Sequence, residues 1–148
     1  MTRARIAIAS DHAGLQLKRV LRGALEADGY EVDDLGTHGE ESVDYPDFAE
    51  AVAMAIKNSK AERGVLVCGT GVGIAIAANR FPWVRAGVCH DVTSARLTRA
   101  HNNANVIALG ARLIGSETAK DCLKAFLETP YEGGRHDRRV DKLSKLPA

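Results

Sequence analysis

The sequence lacks the features that would place this chain in a membrane or outside the cell. Its three cysteines are widely spaced and include no Cys-x-x-Cys pair, which argues against a disulfide scaffold or a zinc site and favours a reducing compartment. No stretch approaches the roughly 18 apolar residues of a membrane span. The N-terminus carries no apolar core of a signal peptide. We therefore expect a soluble, cytoplasmic protein without membrane contacts.

The chain also has little net charge. A formal charge of +1 over 148 residues gives no general attraction to nucleic acid. The charges are nevertheless segregated, because residues 23–56 contain no Lys or Arg whereas residues 135–145 are basic. That basic tail has no interleaved aromatic residues, so we expect it to contact a phosphate or another subunit rather than RNA. The length suits one domain, residues 1–148, with no repeat or flexible linker.

Strand-like and helix-like patterns alternate along the chain, which is typical of a parallel sheet covered by helices. The predicted strands are Ile6 to Ala9, Tyr30 to Leu35, Gly64 to Val67, Arg85 to Cys89 and Val106 to Leu109. The first predicted helix carries an apolar stripe of Leu17, Val20, Leu21, Ala24 and Leu25, and the second starts at Pro46. The third and fourth cover Gly73 to Arg80 and Ser94 to Asn102, and the fifth starts at a Ser116 cap. The last covers Asp137 to Leu146, where Val140 and Leu143 are apolar. We expect a three-layer αβα, Rossmann-like, doubly wound five-stranded parallel sheet in the order 2-1-3-4-5, with a C-terminal helical extension.

That strand order would bring two polar loops together. Ligands of doubly wound sheets bind where the strand order reverses, here between strands 1 and 3, at the carboxyl ends of the strands. The loop from Ser10 to Gly14 follows strand 1, and the loop after Cys68 follows strand 3. In the first loop, Asp11 either caps the following helix or forms an acid–base pair with His12.

Residues 65–80 carry the most informative pattern. An apolar run ends at Cys68, and Gly69, Gly71 and Gly73 alternate before a helix of small residues. Glycines let the backbone fold into a cradle of N–H groups at a helix N-terminus, a position that favours anions. Cys68 is then either a small buried hydrophobe or a reactive thiolate. The spacing matches neither the dinucleotide fingerprint nor the Walker loop, so a nucleotide-binding module is disfavoured.

Three further groups are candidates. His101 and Asn102 end the fourth predicted helix, where they form either a plain polar terminus or part of a site. Arg135 and Arg139 are four positions apart, so they either grip a phosphate together or belong to a solvated basic tail. Arg112 follows strand 5 and lies at the same carboxyl edge as the cradle. The spacing of the five histidines predicts no metal site.

The motifs together resemble a known family. They are Ala-Ser-Asp-His-Ala-Gly (9–14), Asp-Tyr-Pro (44–46), Cys-Gly-Thr-Gly-Val-Gly-Ile (68–74), Ala-Ala-Asn-Arg (77–80), His-Asn (101–102) and Gly-Gly-Arg-His-Asp-Arg-Arg (133–139). Across nearly the whole chain they resemble the type B ribose-5-phosphate isomerases, of the wider RpiB/LacA/LacB sugar-phosphate isomerase family. The resemblance implies a Rossmann-like, metal-free and cofactor-free aldose–ketose isomerase of the pentose phosphate pathway. It also implies a homodimer or tetramer whose active sites are shared between subunits.

The resemblance assigns catalytic roles residue by residue. Cys68 would match the base that moves a proton between C1 and C2, and Thr70 would assist proton movement between the sugar oxygens. Asp11 and His101 would match the groups that open the furanose ring. The anion hole around the enediolate would match the N–H groups of the segment that contains Gly69, Gly71, Val72 and Gly73. One branch of the family uses a glutamate as base at the position of Ile74, so this chain resembles the cysteine branch.

The resemblance also assigns binding roles. Tyr45 and Asn102 would hold the sugar, and the phosphate-binding set would be His12, Arg112, Arg135 and Arg139, with His136 nearby. His101, Asn102 and the two arginines of the tail would come largely from the partner subunit. The expected reaction is the interconversion of ribose 5-phosphate and ribulose 5-phosphate. The alternatives are another sugar phosphate (allose 6-phosphate, galactose 6-phosphate or a tetrulose phosphate) and a non-enzymatic sugar-phosphate sensor.

Overall fold

Strands and helices alternate from the first strand to the last helix in the computed structural model, which describes residues 3–147. The elements are β1 (Arg5–Ser10), α1 (Leu15–Ala27), β2 (Glu31–Asp34), α2 (Tyr45–Lys57), β3 (Arg63–Cys68), α3 (Val72–Ala78), β4 (Ala86–Val88), α4 (Val92–Ala100), β5 (Val106–Gly110), α5 (Ser116–Glu128), a 3₁₀ turn (Gly134–His136) and α6 (Asp137–Lys145). The predicted α/β class with a helical C-terminal extension is confirmed.

The sheet is parallel throughout, but its strand order is β2-β1-β3-β5-β4 rather than the expected 2-1-3-4-5. The last two strands exchange places because of how much apolar surface each must bury. β5 is buried at all five positions, so it takes the interior place beside β3. β4 has three half-buried residues and pairs only with β5, which suits a sheet edge.

Alternate strand residues face opposite helical layers. Ile6 and Ile8 of β1 face the layer that contains α1, α4 and α5, whereas Ala7 and Ala9 face α2 and α3. Such alternation on fully buried strands reads as a continuous apolar run in the sequence, because both faces are covered. The switch point between β1 and β3 is where it was predicted.

Several details of the helices differ from the predictions. Ser116 does not cap α5, because Gly115 occupies the N-cap and Ser116 is the first helical residue. α4 begins earlier than Ser94, after Asp91, whose carboxylate accepts a hydrogen bond from the Ser94 N–H at 2.6 Å. Val20 and Leu143, expected on apolar stripes, are exposed at 39% and 46%. When the apolar stripe of a helix is wider than the surface it packs against, the residues at the margins of the stripe stay exposed to solvent.

The two edges of the sheet have different neighbours. We call the end that holds Ser10, Cys68 and Gly110 the carboxyl edge, and the opposite end the amino edge. Each connecting helix runs back against the strands, so helices begin at the carboxyl edge and end at the amino edge. None of the helices within residues 3–147 is both long and apolar enough to cross a bilayer. The three cysteines are free and buried.

Candidate active site

The glycine-rich turn after β3 forms a backbone cradle around the Cys68 thiol. The Gly71 N–H donates to Cys68 Sγ at 3.1 Å. Gly71 has φ +79°, and a Cβ there would lie 2.9 Å from the carbonyl carbon of Leu109. Only glycine meets both conditions without strain. The turn is therefore pressed against the end of β5 in a conformation that points an amide at the sulfur.

The mouth of the cradle is formed by α3 and by the first residue of α2. The Val72 N–H donates to Thr70 Oγ1 at 3.2 Å. A Cβ on Gly73 would lie 2.7 Å from Cζ of Tyr45, so the tyrosine ring rests directly on the backbone of the turn. Tyr45 is 40% exposed, so its side chain is partly open to solvent at the mouth of the cradle.

The loop after β1 lies beside the cradle. The Asp11 N–H donates to the carbonyl of Val67 at 3.2 Å, one residue before Cys68. The buried Asp11 carboxylate accepts a hydrogen bond from the Gly14 N–H at 3.1 Å, at the start of α1. The Asp11 carboxylate thus bonds the backbone just before α1, although Gly14 itself occupies the N-cap, and the alternative pairing of Asp11 with His12 stays a prediction.

His12 is oriented by a loop that a buried ion pair holds in place. Its Nδ1 accepts a hydrogen bond from the Val43 N–H at 3.2 Å, so a neutral ring carries its proton on Nε2 and can donate it to an anion. Lys18 anchors the same loop, because its Nζ donates to Asp34 Oδ1 at 2.7 Å and to the Thr37 carbonyl at 2.6 Å. Burial alone would raise the pKa of Asp34, but hydrogen bonds from Lys18 and from the backbone lower it overall.

Arg112 supplies a cation at the cradle. Its N–H donates to the Gly69 carbonyl at 2.9 Å, and its guanidinium carbon lies 3.5 Å from where a Cβ of Gly69 would be. Gly69 has no positive φ, and a Cβ there would make only ordinary van der Waals contact with the Arg112 side chain, so the structure places no requirement for glycine at this position, unlike at Gly71. The cradle therefore has a fixed positive charge beside its amide donors.

The three cysteines differ in their surroundings. Cys89 and Cys122 lie in the apolar core between the sheet and α5, where burial raises the pKa of Cys89 to about 11 and also raises that of Cys122. Cys68 is equally buried, at 4% exposure, but lies at the rim with a peptide N–H directed at its sulfur. Cys68 is thus the cysteine whose sulfur accepts a peptide hydrogen bond at the carboxyl edge of the sheet.

A second cluster lies at the opposite edge of the sheet, where α4 ends. The ring of His101 stacks on that of His136, with centroids 4.4 Å apart and planes 18° apart. Glu132 Oε1 lies 3.9 Å from His101 Nε2 and 3.5 Å from His136 Nε2. We call these three residues the histidine cluster. Asn102 and the exposed Arg135 lie beside it in sequence, on the end of α4 and in the 3₁₀ turn.

The histidine cluster is separated from the cradle within one chain. Cys68 pairs in register with Gly110, at the end of β5, whereas His101 precedes the start of that strand. Four steps along β5 span roughly 13 Å, so the two edges are far beyond hydrogen-bond distance. A groove of about 480 Å³ lies beside Asn102, lined by the end of α3, by β4 and by Leu143 and Leu146, and the cradle takes no part in that lining.

The histidine cluster is also the one group within residues 3–147 whose side chains could approach a metal ion together, with ligand atoms within 4.8 Å of one another. Spacing along the sequence did not reveal it. An ion at about 2.0–2.1 Å from each nitrogen must lie in the plane of each ring, and stacked, nearly parallel rings do not share such a point. The geometry therefore does not suit coordination of one ion by both rings.

The described structure thus brings together one part of the predicted site and leaves another part elsewhere. The residues gathered at the carboxyl edge are Asp11, His12, Tyr45, Cys68, Gly69, Thr70, Gly71, Val72, Gly73 and Arg112. The residues placed away from it are His101, Asn102, Arg135 and Arg139. Sequence reasoning missed Glu132 and Lys18. The spacing of Glu132 and His136, four positions apart, was the available signal for the first; a lysine on an amphipathic helix gives none for the second.

The chain is similar to known proteins over nearly its whole length. A family model described as Ribose/Galactose Isomerase matches residues 6–143. Ribose-5-phosphate isomerase B of Escherichia coli (strain K12) is 46% identical over 142 residues, which cover 96% of this chain and 95% of that protein. D-erythrulose-4-phosphate isomerase of Pectobacterium atrosepticum is 45% identical over 140 residues, covering 93% and 91%.

Solved structures give the same result. The crystal structure of a ribose 5-phosphate isomerase from Thermotoga maritima matches with a TM-score of 0.96 and 49% identity, covering 97% of this chain and 99% of that one. Similarity in sequence and in fold therefore extends over the cradle, both sheet edges and most of the C-terminal extension. The chain belongs to the ribose/galactose isomerase family and is an aldose–ketose isomerase of sugar phosphates.

Proposed function

We propose that this chain interconverts ribose 5-phosphate and ribulose 5-phosphate through an enediolate, with Cys68 as the base. The observation that carries the proposal is the Gly71 N–H directed at Cys68 Sγ within a turn of amides, with Arg112 at its rim. Isomerisation needs a base next to donors that are already aimed at a developing negative charge. Both requirements are met by a few adjacent residues.

In the proposed reaction one proton moves between carbons and one between oxygens. The Cys68 thiolate removes the proton on C2 of the open-chain aldose and returns it to C1. The proton on O2 passes to O1, assisted by Thr70, whose hydroxyl lies at the mouth of the cradle. Negative charge on oxygen in the enediolate is stabilised by N–H groups of the segment from Gly69 to Gly73, including those of Gly71 and Val72. No electrons leave the substrate, so the step needs no redox cofactor.

Ring opening must precede that step for a five-carbon aldose. The bond between C1 and the ring oxygen O4 breaks, O4 gains a proton, and the hydroxyl on C1 loses one. We assign this exchange to Asp11 and His101, while Tyr45 and Asn102 hold the sugar. Asp11 is buried beside the cradle, which supports a role close to C1.

The phosphate is assigned to His12, Arg112, Arg135 and Arg139. His12 presents Nε2–H because its Nδ1 is occupied by Val43, and Arg112 already flanks the cradle. Guanidinium groups form strong, charge-assisted hydrogen bonds with phosphate. Anchoring the substrate away from its reacting carbons orients C1 and C2 over the sulfur.

A second copy of the chain is needed to complete this site, and we propose a homodimer or tetramer with shared active sites. The cradle and the histidine cluster lie at opposite edges of one sheet. Apolar side chains of α3 and of the start of α4 are exposed, at 48% for Val72, 63% for Ile76 and 46% for Val92. Exposed apolar side chains of this kind suit burial against another subunit.

A second candidate is a shorter substrate. A relative that is 45% identical is named D-erythrulose-4-phosphate isomerase, so the same catalytic apparatus is compatible with a tetrulose phosphate. Six-carbon phosphates such as allose 6-phosphate or galactose 6-phosphate need a longer pocket. A sugar-phosphate sensor without catalysis is the remaining alternative, and it would not require a thiol at position 68.

The test is a coupled isomerase assay with four-, five- and six-carbon sugar phosphates in the presence of EDTA. We expect kcat/KM to be highest for ribose 5-phosphate. Replacing the base in Cys68→Ala should lower kcat by about 10³-fold while substrate binding persists, because a general base contributes roughly 10²–10⁴ in rate. Cys122→Ala, an equal change in the core, is the control and should keep its activity.

The other possible results of this assay would each change the proposed function in a different way. Preference for a tetrose or hexose phosphate would replace the proposed substrate but keep the mechanism. A Cys68→Ala protein with full turnover would remove the thiol from the reaction. A wild-type protein that binds ribose 5-phosphate without converting any of the sugars would support the sensor.

A further inference from the structure

The segment between α5 and α6 folds back over the end of α4. The Glu132 N–H donates to the carbonyl of Ala100 at 3.0 Å, in the last turn of α4. Gly133 and Gly134 then take φ values of +69° and +58°, which reverse the chain and which glycine adopts without strain. The His136 N–H closes the turn on the Gly133 carbonyl at 3.1 Å. This turn carries His136 back against His101.

The turn leaves a carboxylate at both imidazoles. His136 is 7% exposed, and its buried Nε2 has no hydrogen-bond partner within residues 3–147. Glu132 Oε1 is the acidic atom next to it, at 3.5 Å, and it lies 3.9 Å from Nε2 of His101. The carboxylate is thus within ion-pair distance of both rings.

We propose that Glu132 is a positioning residue that, with the stacked ring of His136, holds the His101 imidazole in the orientation required for ring opening. The proposal rests on the function proposed above, in which His101 exchanges a proton with the sugar. His101 is half-buried, so its own surroundings leave its ring partly free to turn. A carboxylate on one nitrogen and a flat ring on one face restrict that rotation and fix the direction in which the nitrogens meet the substrate.

Comparison of a four-carbon with a five-carbon substrate isolates this role. Ribose 5-phosphate closes into a furanose because its O4 is free to attack C1. In a tetrose 4-phosphate the O4 atom carries the phosphate, so no furanose forms and no ring has to be opened. A residue that acts only through ring opening therefore affects the pentose and spares the tetrose, whereas damage to the fold or to the dimer affects both.

The experiment compares Glu132→Gln with Glu128→Gln, the same change at an exposed glutamate at the end of α5. We expect Glu132→Gln to lower kcat on ribose 5-phosphate by about tenfold, a fraction of the 10²–10⁴ that a positioned acid or base contributes. Its turnover of D-erythrulose 4-phosphate, its Kd for the open-chain ribulose 5-phosphate and its urea unfolding midpoint should match the wild type. Glu128→Gln should match the wild type in every measurement.

Two results overturn the proposal. One is an unchanged kcat on ribose 5-phosphate in Glu132→Gln. The other is a loss accompanied by an equal loss on the tetrose phosphate or by weaker binding of ribulose 5-phosphate, which would make Glu132 a structural or binding residue. If the wild type does not accept the tetrose, the combination of lowered kcat and unchanged Kd decides. A wild-type protein inactive on ribose 5-phosphate, or an unimpaired His101→Ala, would instead contradict the proposed function.

Discussion

The cradle around Cys68 and the histidine cluster at the end of α4 are formed by different chemical groups. The cradle uses the backbone: amides of a glycine turn, pressed against β5 and covered by Tyr45, surround a buried thiol. The histidine cluster uses side chains: two stacked imidazoles and a carboxylate, of which Glu132 is mostly exposed. The first is fixed by local chain geometry, and the second depends on a segment that returns from another part of the chain.

This difference has a consequence for how the enzyme is assembled. Backbone donors keep their direction in an isolated chain, so the cradle is preorganised before any partner arrives. The histidine cluster lies at the other edge of the sheet, so in the function proposed above it acts against the cradle of another copy. In that proposal one chain carries two half-sites, and we expect a closed, symmetric dimer to join them in pairs.

We expect the largest effect on activity when one half-site is inactivated on one chain of a dimer and the other half-site on its partner. Cys68→Ala and His101→Ala should each be nearly inactive, and an equal mixture allowed to exchange subunits should regain about a quarter of wild-type turnover. Half of the dimers are then mixed, and each mixed dimer has one intact site out of two. The measurement is turnover of ribose 5-phosphate, with mass spectrometry to verify mixed dimers.

A mixture of Cys68→Ala with Asp11→Ala is the matched control for that experiment. Both changes affect the cradle, so every site of a mixed dimer is impaired and the mixture should stay inactive. Mixed dimers of Cys68→Ala and His101→Ala without regained activity would show that the two regions do not meet across subunits.

A smaller effect, on stability, is expected from the ion pair that anchors the His12 loop. Lys18 is 1% exposed and pairs with Asp34, while Arg22 Nη1 lies 3.2 Å from the other carboxylate oxygen. Lys18→Met should cost about 3 kcal/mol of unfolding free energy, near the lower end for breaking a buried pair because Arg22 remains. Lys120→Met, which breaks an exposed pair with Glu117, should cost less than about 1 kcal/mol. Urea denaturation measures both.

The stability that the Lys18–Asp34 ion pair contributes should change with pH in one direction. The pKa of Asp34 is lowered below its ordinary value of 3.8, so the pair contributes stability above pH 3.8 that is lost as the pH falls through the lower, folded value. In Lys18→Met the main cause of that lowering is gone, and burial favours the protonated acid. The difference in unfolding free energy between the two proteins should therefore be smallest well below pH 3.8 and should increase as the pH rises towards neutrality. A pH-independent difference would contradict this account.

The smallest effect concerns the basic tail. If Arg139 binds phosphate across the dimer, Arg139→Ala should raise KM for ribose 5-phosphate by about tenfold with little change in kcat, which corresponds to one charge-assisted hydrogen bond. Arg138→Ala, the same change one position earlier, is the control and should alter KM less than about twofold. Equal, small effects from both would leave the tail as a solvated basic segment.

The cradle was predictable from the sequence because its determinants are adjacent in the chain. An apolar strand, Cys68 and three alternating glycines define a strand, a turn and a helix start within ten residues. The structure adds separate reasons for the glycines, since Gly71 needs a positive φ and Gly73 makes room for Tyr45. The histidine cluster was less predictable. The stacking of His101 on His136 joins residues 35 positions apart, and only the path of the intervening helix decides that contact.

By itself, the sequence determined the α/β class, the strands β1, β3 and β5, and the glycine-rich turn after Cys68, because each follows from local patterns of apolar residues and glycines. Tertiary structure alone decided that β5 lies inside the sheet and β4 at its edge, that Lys18 is a buried ion-pair partner, and that Glu132 meets both histidines. These outcomes depend on competition among distant segments for the same buried places. Such competition is settled by packing of the whole chain and not by the residues of any one segment.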